Sequence, residues 1–81
     1  MASRISKAIV HQYYKKETSV ATELLKIDPI HYTAVRIILP VNGERSAEEI
    51  EVGERYAAEL PAEGFVVASP LEFHLYLNGV A

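Results

Sequence analysis

From Tyr32 to Leu39 the side chains sort with a period of two, Thr33, Val35, Ile37 and Leu39 to one side and Tyr32, Ala34, Arg36 and Ile38 to the other. Both sides are largely apolar. Such a segment reads as a strand within a sheet covered on at least one side, with Arg36 as its one polar exception. Pro40 then removes a backbone donor, and Asn42-Gly43 supplies a tight turn.

The flanking segments are less regular. Ile5, Ala8, Ile9 and Tyr13 fall at helical spacing behind a Ser3 cap, yet 8–14 is rich in β-formers, and a strand from about Ala8 to Tyr14 is the preferred assignment. Thr18 or Ser19 can cap a short helix whose apolar face is Val20, Ala21, Leu24 and Leu25; Asp28-Pro29 would end it, because a residue before proline avoids the helical region.

Ser46 and Glu49 have the spacing of a capping box, which predicts a helix over 47–60 with Ala47, Ile50, Gly53, Ala57 and Leu60 as its inward stripe. Gly53 weakens a helix, so its place there implies close packing against a sheet. Pro61 to Gly64 stops the element. Phe65–Ser69 and Leu71–Leu77 read as two short strands joined at Ser69-Pro70, the second alternating Leu71, Phe73, Leu75 and Leu77 with Glu72, His74, Tyr76 and Asn78. The sum is one α+β domain over 1–81: a sheet of about four strands, with the acidic helix 47–60 and the short helix on one face, nearest in topology to a split βαβ unit.

A chain of 81 residues has a thin stability margin, and small domains recover stability from disulfides, metals or association. There is no cysteine, and His11, His31 and His74 stand apart without metal-ligand spacing. A homo-oligomer without metal or other cofactor is therefore the expectation. No apolar run reaches membrane length and 1–16 lacks the apolar core of a signal peptide, which points to the cytoplasm.

Charge is sorted along the chain. The first sixteen residues carry Arg4, Lys7, Lys15 and Lys16 with no acid, whereas 44–63 holds seven glutamates against Arg45 and Arg55. Segregated charge steers partners of opposite sign. Glu48, Glu51, Glu54 and Glu59, read as the outer face of the helix, can dock a basic protein or imitate the phosphates of nucleic acid, although a solvated surface is the commoner meaning of such a run.

Two further groupings carry chemistry. Glu72, His74 and Tyr76 share one face of the expected last strand, where His74 could serve as a base oriented by Glu72; no oxyanion donor, phosphate loop or nucleophile elbow accompanies them, so an enzyme is not expected. The same face suits protein recognition, since tyrosine offers apolar area and a hydrogen bond together. Tyr13 and Tyr14 beside Lys15 and Lys16, with Arg4 and Lys7, interleave rings and cations as single-stranded nucleic-acid surfaces do. The leading expectation is a non-enzymatic accessory protein that binds or inhibits a larger protein through the acidic helix and the Glu72, His74, Tyr76 face. A nucleic-acid-binding regulator using the basic segment is the alternative.

Overall fold

The computed structural model describes residues 10–78. Its order is β1 Gln12–Glu17, β2 Ala21–Asp28, β3 Thr33–Pro40, β4 Ser46–Glu51, α1 Tyr56–Glu59 running into a 3₁₀ turn Leu60–Glu63, β5 Val66–Val67 and α2 Pro70–Leu77. The strands form one antiparallel sheet in the order β4-β3-β2-β1-β5. The first four strands are a meander, and the chain then returns across the sheet to lay β5 beside β1. The α+β class holds, with five strands among the described residues where about four are expected, and no split βαβ arises because none of these strand pairs is parallel.

Each sheet face carries its own helix. On the first face Leu25, Ile27 and Ala34 are buried with Leu60 and Phe65, and Tyr14, Ile50, Tyr56 and Ala57 close around them. On the second, Leu24 and Ile37 are buried under Phe73 of α2, flanked by Tyr13, Val35, Leu39 and Tyr76. Adjacent residues of one strand point to opposite faces, so Leu24 and Leu25, both fully buried, serve two different cores. Full burial of one such side chain stabilises by about 1.5–3 kcal/mol. The expectation of both helices on one face is thereby corrected.

Three local assignments change as well. The helix expected before Asp28 is strand β2, since a neighbouring pair of leucines suits a strand covered on both faces as well as it suits a helix. The helix expected over 47–60 is strand β4 followed by a loop, with helical backbone only from Tyr56. Gly53 lies in that loop, and a Cβ there would meet nothing within 4 Å, so it marks no close approach. The strand expected over Leu71–Leu77 is helix α2: the Ser69 hydroxyl accepts the Glu72 N–H at 3.1 Å and Pro70 occupies the first turn.

Strand β1 begins at Gln12, so Gln12, Tyr13 and Tyr14 of the expected strand 8–14 are strand, Val10 and His11 precede it without strand pairing, and residues 8 and 9 lie outside the described part. Strand β3 covers the expected 32–39 strand but for Tyr32, which stands in the turn with φ 56°. A left-handed tyrosine costs roughly 1–2 kcal/mol. The turn that holds it is well bonded: the Asp28 carboxylate accepts the N–H groups of Ile30 and His31, and the Tyr32 N–H donates to the Asp28 carbonyl at 3.0 Å. Gly64, at φ 98°, closes the 3₁₀ turn as a left-handed cap. No helix among the described residues is long and apolar enough to cross a membrane.

Candidate functional site

Among the described residues, strand β4 is one of the two edges of the sheet. Its residues have the intrinsic preference of a helix, but pairing with β3 overrides it: Ile50 lies over Ala34, and Arg36 meets Glu48, its Nε donating to Oε2 at 2.9 Å. Arg45 pins the entry to the strand by donating to the Tyr76 carbonyl and, at 3.1 Å, to the Leu77 carbonyl at the end of α2. A cation there also suits the negative end of the helix dipole.

The register fixes which way the β4 backbone points. The Val52 N–H donates to the Tyr32 carbonyl at 2.9 Å, and this pair continues the β3–β4 register in which Thr33 opposes Glu51. Hydrogen-bonded and non-hydrogen-bonded pairs alternate in an antiparallel ladder. Ile50, Glu48 and Ser46 therefore bond to β3, while the N–H and C=O groups of Ala47, Glu49 and Glu51 point outward from the sheet. All of β4 except Ile50 is exposed. Along this edge the side chains of Glu49 and Glu51 project on the α2 side of the sheet and that of Glu48 on the α1 side.

The other expected acidic positions are dispersed. Glu54 lies in the loop after β4 and Glu59 at the end of α1, both exposed, so Glu48, Glu51, Glu54 and Glu59 do not form one helix face. Strand β4 brings together Glu48, Glu49 and Glu51 instead. Glu49 was marked in the sequence only as a capping residue, and the signal that could have found it is the strand period, under which it shares a side with Glu51.

Glu72, His74 and Tyr76 do not share a strand face, because α2 is a helix and residues two apart on a helix diverge. Glu72 accepts from the Lys15 ammonium at 2.6 Å and does not orient His74. The His74 ring stands against Tyr13 and Phe73, with centroids 6.3 and 5.8 Å away. Tyr76 is half-buried over the second core. The oriented base expected from the alternation is not assembled.

The basic segment is divided in the same way. Arg4 and Lys7 lie outside the described residues. Tyr13 and Lys15 face α2, whereas Tyr14 and Lys16 face α1, where the Lys16 ammonium sits 5.6 Å from the centre of the Phe65 ring. The Glu72 hydrogen bond holds the Lys15 pKa above its ordinary value, so that cation is already engaged. The described part of this segment presents no common face of rings and cations.

Two hollows flank the sheet at the β2–β3 turn. One of about 410 Å³ lies under α1 and is lined by residues that include Gln12, Tyr14, Tyr32, Val52, Gly53 and Glu54. A smaller one, about 220 Å³, lies on the opposite face beside β4, with Lys26, Val35 and Glu49 in its wall. Among the described residues no group of three His, Cys, Asp or Glu side chains could hold a metal ion. Comparison of the chain with family models, curated proteins and solved structures finds no match.

Proposed function

We propose that the protein is a non-enzymatic interaction module that captures an extended, basic segment of a protein partner by adding it as a further strand along β4. The observation that carries this is the outward-pointing backbone of Ala47, Glu49 and Glu51 on a largely exposed strand that carries three carboxylates among its six side chains. In strand addition, main-chain hydrogen bonds supply affinity and alternate side chains supply specificity. Here the specificity is for positive charge on the α2 side of the added strand, met by Glu49 and Glu51, because Glu48 on the other side is already paired with Arg36. Sequestering such a segment is also how the module would inhibit a larger protein.

The same carboxylates act against pairing of β4 with β4 of a second copy, which would crowd like charges across the new ladder. Self-association, expected from the small size, uses the opposite edge in this scheme, where Val66 is 58% and Val67 79% exposed.

The test is a titration of the protein with an extended peptide of alternating lysine and threonine, with an alternating glutamate and threonine peptide as control. The lysine peptide should bind, its affinity falling as salt rises, and the glutamate peptide should not. Glu49→Pro, which removes an outward N–H, should abolish binding in a folded protein. Equal binding by this variant would exclude strand addition at β4.

A further inference from the structure

The groove beneath α1 has three features that belong together. Its volume, about 410 Å³, lies in the range of small-ligand sites. Two tyrosines, Tyr14 and Tyr32, line it together with a single carboxylate, Glu54. No ion pair engages Glu54 among the described residues.

Tyr32 is the informative member. It sits at φ 56°, a conformation that glycine or asparagine adopts far more readily, and it remains 45% exposed. A large ring in a strained turn, with nearly half of its surface in solvent and a place in neither core cluster, contributes little to the core. Backbone outliers of this kind collect at binding sites, where the neighbouring structure holds a residue in place for a purpose other than packing. The Asp28 carbonyl and the Val52 N–H fix the Tyr32 backbone from both sides, so the ring stands at the groove in a set position.

We infer that this groove binds a compact organic cation: an ammonium group carrying apolar substituents, whether free or at the end of a partner's lysine side chain. The aromatic walls attract the cation through their π faces, Glu54 supplies the opposite charge, and Ile27, Pro29, Val52 and Ala57 accept the apolar substituents. A free anion would meet Glu54 with like charge. A neutral apolar molecule would gain from the walls and nothing from the carboxylate. This site is independent of strand addition at β4, and neither requires the other.

Choline, its neutral carbon isostere 3,3-dimethylbutan-1-ol, and N-acetyl-lysine methylamide serve as probes, followed by nuclear magnetic resonance titration of the full chain. Choline should shift the amide signals of Val52, Gly53 and Glu54 and the ring signals of Tyr14 and Tyr32 in a saturable manner. The isostere should bind about three- to fivefold more weakly. The lysine derivative separates the two sources: binding close to that of choline points to a partner's side chain, and binding that is present but much weaker points to a free quaternary amine. Glu54→Gln should weaken choline, and Tyr32→Phe should keep it. Tyr32→Asn should lose it while remaining folded, because asparagine accepts the positive φ. The inference is overturned if choline and its isostere bind equally, if Glu54→Gln leaves choline unchanged, or if choline does not shift these signals.

Discussion

Lys15 on β1 and Glu72 on α2 form the ion pair that ties the last helix to the sheet, with Nζ 2.6 Å from Oε2 and both side chains mostly shielded. Phe73, the next residue, is buried against Leu24 and Ile37, so this pair sets the register in which the helix delivers its core side chain. Glu72→Lys should therefore loosen α2, lowering the melting temperature and speeding amide exchange in 70–77 more than Glu63→Lys does at an exposed control site. The pair also sets a pH dependence. Lys15 is held above its ordinary pKa in the folded protein, so its contribution is complete below the ordinary lysine value and fades as pH climbs through the raised one. The difference in melting temperature between the wild type and Glu72→Gln should stay constant through neutral pH and shrink only at strongly alkaline pH.

The β2–β3 turn responds at the other end of the scale. Hydrogen bonds from the His31 N–H, then from the His31 ring and the Ile30 N–H, pull the Asp28 carboxyl from an ordinary 3.8 down to about 2. A carboxyl lowered by folding contributes stability above its unfolded value and loses it as pH falls through the folded one. Thermal melts should show an acid decline between about pH 4 and pH 2. Asp28→Asn should flatten that decline and be less stable at neutral pH.

Proline substitution along β4 reads the direction of its backbone. Glu48→Pro removes a donor bonded to β3 and should cost about 2–3 kcal/mol, whereas Glu49→Pro removes an outward donor and should cost under about 1 kcal/mol. Urea denaturation of the two variants checks this. Equal losses would mean that the ladder alternates in the other phase.

Gly53 and Gly64 separate conformational need from space. Gly53 has open surroundings and no positive φ, so Gly53→Leu should change stability by no more than about 0.5 kcal/mol. Gly64 is left-handed at φ 98°, and Gly64→Ala should cost about 1 kcal/mol. Chemical denaturation distinguishes them directly.

These contrasts also show what the sequence could convey. Strand β3 was legible because eight residues alternate between turn signals, whereas Pro61, read as part of a stop, opens the 3₁₀ turn that runs on to Glu63. Strand β2 was not, since Leu24 and Leu25 in succession satisfy a helical stripe and a doubly covered strand equally. At β4, Ser46 and Glu49 imitate a capping box in a run of good helix formers, and pairing with β3 outweighs that local preference. The working capping signal lay at Ser69-Pro70-Leu71-Glu72, masked by the alternation of the leucines and Phe73 that follows. Of the candidate site, the excess of glutamate was visible in the chain; its placement on a sheet edge required knowledge of the strand order β4-β3-β2-β1-β5. Tyr32 carried no signal, because its positive φ is imposed by the turn around it.

Hydrogen exchange at individual β4 amides tests strand addition most directly. In the free protein, Glu48 and Ile50 should be protected by β3, and Ala47, Glu49 and Glu51 should exchange quickly. Saturation with the alternating lysine peptide should slow Ala47, Glu49 and Glu51 by about tenfold or more, as expected when outward N–H groups gain carbonyl partners. Bound peptide with unchanged exchange at these three amides would contradict a strand added along β4.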